Sequence, residues 1–417
     1  MNSSIVKTGS VLVLCFAAVA IVPLLFFSCN QMGTQSLSDN GTSIVSLAAS
    51  KSVPSRITEI TLSVSGDGME TVSKSIDPDQ SSLTLEIPAG EARTFSLTMA
   101  NKTVTFSGSV TEDLTAGEET ELSIPLELSG TKPIVPDADY YNGGGRIVQI
   151  NGMTGAGWIE KDWDDFSGLG YGSPYDFFPY DVDFDDKGRI YIANNSSSGG
   201  IIRLDDINDT SPEAIVSGEE IPSLAIDRLN GFLYYFIYDG DLFTYFLKQY
   251  NYNTGNEKEY NLSPYELIPE SLAIDDEGMV YIVHDYGSGI QKFNPTGEGS
   301  LTGNSYTAEE AIDVLYKNGY IYVADIGGEL PPKVIKLTTD LDYVDELPGK
   351  PDETDPFHGP QRFLAVLSDK IYVIDEEQFE PDEDNRTVAF DDISGTGWTT
   401  YQNSSDPFSF FYNGAAD

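Results

Sequence analysis

The sequence is poor in the residues that carry most enzymatic chemistry. Its 417 residues include two histidines, His284 and His358, and two cysteines, Cys15 and Cys29. A catalytic zinc site usually takes three protein ligands, mostly histidine, and this chain lacks the means to build one. Positive charge is scarce: 23 Lys and Arg stand against 67 Asp and Glu, a net charge of −44. No basic footprint exists to displace counterions from phosphates, so nucleic acid is excluded as a partner. There is no Gly-x-Ser-x-Gly nucleophile elbow and no Gly-x-x-x-x-Gly-Lys phosphate loop. Carboxylates are so abundant that no pair stands out for glycoside hydrolysis. No catalytic residue is assigned. What the chain does have is apolar and aromatic bulk, 40% and 12% of residues, enough for a large core in two or three domains.

Residues 12–27 form a nearly unbroken apolar run that ends at Ser28-Cys29 and is followed by polar residues without a basic cluster. That length fits a secretory leader better than a membrane span. Leu25-Phe26-Phe27-Ser28-Cys29 resembles a bacterial lipobox. The resemblance implies a signal peptide over 1–28 and a lipid on Cys29. A plain signal peptide and an uncleaved anchor are the alternative readings. Removal of the leader would take Cys15 with it and leave Cys29 with no disulfide partner, so stability must come from the core. Acyl chains contribute ~0.8 kcal/mol per buried methylene, and several on one cysteine hold firmly. Asn30 and Gln31 are not the acidic residue that usually signals inner-membrane retention in such lipoproteins. The resemblance therefore favours the outer membrane of the cell envelope.

Residues 29–55 read as a flexible tether of Ser, Thr, Gly and Asn. Over 56–130 apolar residues alternate with polar ones: Ile60, Leu62, Val64; Leu83, Leu85, Ile87; Phe95, Leu97, Met99; Leu122, Ile124, Leu126. Period two bounded by Gly-Asp-Gly, Asp-Pro-Asp and Pro-Ala-Gly turns predicts antiparallel strands in a small β-sandwich. Ile87-Pro88-Ala89-Gly90 followed by Arg93-Thr94-Phe95 resembles the immunoglobulin-like or transthyretin-like modules that follow the anchor in bacterial lipoproteins. Residues 131–144, with Pro133 and Pro136, read as a stiff linker.

From 145 to 417 the chain repeats. Asp181-Val182-Asp183-Phe184 with Gly188-Arg189-Ile190-Tyr191 returns as Leu224-Ala225-Ile226-Asp227 with Leu233-Tyr234, and as Leu272-Ala273-Ile274-Asp275 with Gly278-Met279-Val280-Tyr281. Further copies centre on Tyr322 and Tyr372, so successive tyrosines are 43, 47, 41 and 50 residues apart. Units of 40–50 residues holding four strands are propeller blades. Arg146 to Trp158 aligns without gaps to Arg386 to Trp398, which marks outer strands at both chain ends. Joining strands from both ends closes a ring and removes an open sheet edge. Residues 407–413, with Phe408, Phe410, Phe411 and Tyr412, are the candidate for a missing inner strand. Six blades are expected, with five as the alternative. The repeat over 145–405 resembles NHL-repeat β-propellers, a fold that hosts enzymes as well as protein, polysaccharide and RNA binders. The fold class is all-β.

Asn194, His284, Asp325 and Asp375 occupy one equivalent position after the Tyr-centred strand, and Asp285 follows His284. Gathered at one channel mouth, Asn194, Asp285, Asp325 and Asp375 would form a cation site, with His284 facing a ligand. The other reading is that each caps a turn by accepting from nearby backbone. Calcium is the one ion such residues suit, and no other cofactor is expected. Gluconolactonase-like propellers hold calcium in the channel, but their ligand set has no match here. The acidic run 181–188 reads as strand and hairpin rather than a calcium loop, and 375–384 as a solvated loop. Trp158 and Trp398 at matching repeat positions suggest packing. Trp163, Tyr171, Tyr175, Phe177, Phe178 and Tyr180 could stack a sugar or pack under a loop. The leading expectation is a non-enzymatic, lipid-anchored binding scaffold for a protein or polysaccharide. A calcium-dependent lactonase or esterase and a structural envelope protein are the alternatives.

Overall fold

The computed structural model describes residues 42–402, apart from 50–56, 79–82, 139–144, 285–288, 352–354 and 377–385 and positions 241, 266 and 329. Cys29, Asp285 and the segment 407–413 lie outside the described residues.

The N-terminal module is a two-sheet sandwich. One sheet has five strands in the order Val72–Ile76, Glu59–Ser65, Gly90–Ala100, Val104–Leu114, Glu127–Thr131. The other pairs Thr84–Pro88 and Glu119–Ile124 on either side of Thr42–Ala49. Thr42–Ala49 falls in the expected tether, yet it is a central strand, antiparallel to the first neighbour and parallel to the second. The alternation has its expected consequence: Leu62, Val64, Phe95, Leu97, Met99, Leu122 and Ile124 are all buried between the sheets. Arg93 fastens two turns. Its buried guanidinium donates to the carbonyls of Pro88 at 3.1 Å, Ala89 at 2.9 Å and Asp67 at 2.7 Å.

The remaining sheets form a six-bladed β-propeller. Five blades have four antiparallel strands. In the first of these the order from the axis outward is Pro179–Phe184, Ile190–Asn194, Gly200–Leu204, Glu213–Ser217. The inner strands of the next four are Leu224–Asp227, Pro269–Ile274, Ala311–Lys317 and Pro360–Phe363. The sixth sheet has three described strands, Ile134–Asp137, Arg146–Gln149 and Ile159–Asp162. Its Arg146 meets Asp137 at 2.6 Å as Arg386 meets Asp375 at 2.8 Å in the last blade. Ile134–Asp137 is therefore the second strand of its blade, drawn from the expected linker.

Six apolar clusters, one between each pair of neighbouring blades, close the ring. Tyr191, Ala193 and Ile201 meet Leu224, Ile226 and Leu233. The last blade closes on the three-stranded one through Leu364, Tyr372 and Ile374 against Val135, Val148 and Ile150. Second strands are covered on both faces, which is why Ile190–Asn194, Val280–His284 and Ile371–Asp375 are buried throughout.

The acidic hairpin repeat is a turn lock. Asp185 Oδ1 accepts from the N–H of Lys187 and of Arg189, both at 2.9 Å. Asp275 repeats this with Glu277 and Met279 at 2.9 Å, and its Oδ2 accepts from the Tyr281 hydroxyl at 2.8 Å. These carboxylates are spent on backbone donors within their own turns.

Sandwich and propeller share one core. Val104 and Phe106 cluster with Phe184, Ile190 and Ile202. At Gly188, φ is +75° and an added Cβ would lie 2.9 Å from Val104, so both the turn and the module contact require glycine. The Thr131 N–H donates to the Leu367 carbonyl at 3.2 Å, and the Leu367 N–H to Thr131 Oγ1 at 2.9 Å. The sandwich thus sits on the end of the propeller formed by the turns between first and second strands.

Candidate functional site

The opposite end carries the loops between second and third strands and the loops that enter each new blade. Here the repeat-equivalent residues are found, each turned to its own blade. Asn194 Oδ1 accepts from the Phe178 N–H at 2.7 Å, and its Nδ2 donates to the Asp176 carbonyl at 2.8 Å. Asp325 Oδ1 accepts from Glu310 at 3.0 Å and Gly327 at 2.9 Å. Asp375 Oδ1 accepts from His358 at 2.8 Å and Gly359 at 2.9 Å, while Oδ2 takes Arg386 Nε at 2.8 Å. Burial raises the Asp375 carboxyl and Arg386 opposes the rise. His284 is buried beside Gly289. Asn194, Asp325 and Asp375 thus pin the entry loops of three blades. Among the described residues, no group of three His, Cys, Asp or Glu is placed to hold a metal ion.

The aromatic cluster divides. Tyr171 and Phe177 are buried, with the Phe177 ring tilted by 34° against Phe166 at 4.5 Å and Tyr171 at 6.3 Å. Trp163 is half-buried against this core and opens a short helix capped by Asp162. Tyr175 alone of the three candidate ligand-facing aromatics is largely exposed, at 56%. Trp398 packs on Phe357 at 5.1 Å and Phe390 at 6.0 Å, and the Arg146 guanidinium lies over Trp158 at 5.7 Å.

Exposed apolar side chains gather on this loop end. Besides Tyr175 they are Tyr238, Leu242, Phe243, Ile268 and Leu330. The hairpin of Phe232–Asp239 and Thr244–Asn251 has eight-residue strands and lifts Leu242 and Phe243, 64% and 82% exposed, to its tip. Phe243 sits at φ +51°, a left-handed conformation that costs a bulky residue roughly 1–3 kcal/mol.

The channel holds a ring of residues that inspection of the repeat did not single out. Asp181, Ser223, Ser271, Asp313 and Arg362 occupy matching positions at the heads of five inner strands. In four of the five blades a bulge precedes this residue, at Tyr180, Glu270, Ile312 and Gln361. Inner strands are sheet edges, and their free N–H groups need acceptors. The neighbouring blade supplies them. Asp181 Oδ2 accepts from Leu224 at 3.0 Å, Asp183 Oδ2 from Ile226 at 2.8 Å, Ser223 Oγ from Leu272 at 3.3 Å and Asp313 Oδ2 from Phe363 at 2.6 Å. Asp181 also accepts from the Ser223 hydroxyl at 3.0 Å. Asp181 and Asp313 stand on the first and fourth of the six blades, hence opposite one another. Burial, followed by the charge of Asp313, raises the Asp181 carboxyl to about 7. Burial raises Asp313 too, against Arg362 at 3.6 Å. Arg362 also lies over the Tyr180 ring at 5.3 Å. Aligning the starts of the inner strands, rather than their tyrosines, would have exposed this ring.

No protein-family model and no curated protein matches the chain. Solved structures resemble it distantly. A protein of unknown function from Bacteroides thetaiotaomicron is 13% identical with a TM-score of 0.46, over 84% of this chain and 80% of its own. Virginiamycin B lyase from Staphylococcus aureus is 12% identical with a TM-score of 0.38, over 69% and 89%. Regucalcin, a calcium-binding protein from Agrobacterium tumefaciens, is 14% identical with a TM-score of 0.37, over 59% and 83%. At this distance the likeness carries no argument about ligand or reaction.

Proposed function

We propose that this protein is a binding scaffold of the cell envelope, tethered through a lipid on Cys29, whose propeller loop end engages a protein or polysaccharide. One observation supports the reading: of the ten exposed large apolar side chains among the described propeller residues, six stand on the loop end, where Leu242 and Phe243 share one hairpin tip, while Leu229, Tyr320, Tyr343 and Val344 stand elsewhere. Rigid blades displaying apolar loops suit recognition, and exposed aromatic residues are the usual anchors of an interface. The repeated chemistry of the strand ends is consistent with a structural role, since Asn194, Asp325 and Asp375 are occupied by backbone donors.

The test compares the native full-length chain with a Leu242→Ser/Phe243→Ser variant and with Leu229→Ser, whose residue is 74% exposed in a turn at the sandwich end. Retention on immobilised envelope polysaccharide and on envelope membrane protein is measured for each. The reading expects the tip variant to lose at least tenfold in retention on one of the two materials while Leu229→Ser keeps it. Equal retention by all three chains, or none by the native chain, would overturn it. Membrane fractionation of Cys29→Ala checks the tether, and the expected outcome is loss of the protein from the membrane fraction.

A further inference from the structure

In the five four-stranded blades the second strand is paired on both edges. In the sixth, Ile134–Asp137 is buried throughout as those strands are, yet among the described residues it pairs on one edge only, with Arg146–Gln149. The Ile150 N–H donates to the Pro133 carbonyl at 3.1 Å, and bonding alternates along an antiparallel ladder. Pro133, Val135 and Asp137 therefore bond outward, and Ile134 and Pro136 turn their backbone groups to the channel. The Ile134 N–H and the carbonyls of Ile134 and Pro136 make a short buried edge that one more strand would satisfy.

The chain itself leads to this edge. The fifth blade finishes with its outer strand Thr399–Tyr401, and Tyr401 packs on the cluster of Val135, Val148 and Ile150 in the sixth. Elsewhere in the propeller, four to twelve residues separate an outer strand from the next inner one. After Tyr401, five residues lead to Pro407-Phe408-Ser409-Phe410-Phe411-Tyr412. That run aligns without gaps to two inner strands, Pro179-Tyr180-Asp181-Val182-Asp183-Phe184 and Pro269-Glu270-Ser271-Leu272-Ala273-Ile274. The place of Phe410 is held in the five blades by Val182, Leu224, Leu272, Val314 and Phe363, all buried. Asn413 follows where Asp185 and Asp275 open their turns.

We propose that residues 407–412 dock on this edge as the inner strand of the sixth blade, antiparallel to Ile134–Asp137, with Phe410 opposite Val135 and Ser409 as the sixth member of the channel ring, between Arg362 and Asp181. The register follows from Val182 opposite Ile192 and Phe363 opposite Val373 in complete blades. Pro136 offers a carbonyl and no N–H, so this ladder is one bond shorter than its counterparts. The ring is then shut by strands from both ends of the propeller chain, and no inner edge is left open to a second molecule. This inference concerns the frame and is independent of the loop-end reading.

The test is a disulfide placed across the expected pair, in the full-length chain carrying Cys15→Ala and Cys29→Ala. Val135→Cys/Phe410→Cys should close within one molecule under mild oxidation, because facing residues of a non-hydrogen-bonded pair bring their Cα atoms to about 4.5 Å. Val135→Cys/Phe411→Cys, with the second thiol on the other face, should close at least tenfold more slowly. Without engineered thiols, Phe410→Asp should lower the melting midpoint by at least about 5 °C, while Ala416→Asp leaves it unchanged. Ring residues Ser223 and Ser271 are fully buried, so Ser409→Cys should react with a maleimide at least tenfold more slowly than Ala416→Cys. A disulfide linking two molecules would assign the edge to a second copy and overturn the proposal. No closure of the first pair, equal closure of both pairs, or an unchanged midpoint in Phe410→Asp would also overturn it. Equal reactivity of the two single cysteines would overturn the place given to Ser409.

Discussion

Single residues here act mainly as fasteners, and their removal should register as stability. Arg93→Ala strands three carbonyl acceptors at the edge of the sandwich. Charged donors of this kind contribute about 1.5–3 kcal/mol, so a loss of about 3 kcal/mol in urea unfolding is expected, with only partial recovery in Arg93→Lys. Asp375→Ala should cost about 3–5 kcal/mol, because it leaves Arg386 buried beside a missing charge. Asp375→Asn retains an acceptor for the His358 and Gly359 N–H groups and should lose less. Most of this was legible only as residue type. The sequence marks Asn194, Asp325 and Asp375 as equivalent, but equivalence does not reveal that each side chain bends back onto its own entry loop. The competition between a shared site and a local backbone donor is decided by a few ångströms that spacing does not encode.

At the scale of elements, the hairpin lock explains why acid, glycine and tyrosine recur together. Tyr281→Phe removes the 2.8 Å bond to Asp275, whereas Tyr191→Phe removes a bond of 3.4 Å to Asp185. The first should cost about 1 kcal/mol and the second clearly less, read as the difference between their denaturation midpoints. Burial raises the Tyr281 phenol, followed by its bond to Asp275, so the donor stays protonated at neutral pH. Blade strands were legible because second strands buried on both faces produce apolar runs such as Ile190–Asn194. Two strands were not. Thr42–Ala49 is rich in Ser, Thr and Ala and gains its place by pairing on both edges. Ile134–Asp137 carries Pro136 and is recruited by Arg146–Gln149 across a ladder that runs from Asp137 to Ile134. Tertiary pairing overrode local preference in both.

For the whole molecule, the channel ring ties stability to pH. The Asp181 carboxyl titrates at about 7 in the folded chain and near its ordinary value of 3.8 when unfolded. Between these values the folded state holds more protons, so this group's contribution is full below about pH 4 and is lost as pH rises to 7. Asp181→Asn should therefore melt higher than the native chain at pH 8 and equal it near pH 4. Thermal melts across that range measure the crossing. Ring closure was legible as a count of repeats. The acid pair across the axis was not, because it depends on two blades facing each other in a ring of six.

The continuous core of Val104 and Phe106 with Phe184, Ile190 and Ile202 also has a mechanical meaning. A joint filled with interlocked side chains transmits torque, whereas a linker absorbs it. The propeller cannot swivel on the sandwich, so a pull at Thr42 fixes the heading of the hairpin tip at Phe243. The two modules behave as one lever, and the tip is held at a set angle to the sandwich rather than on a leash.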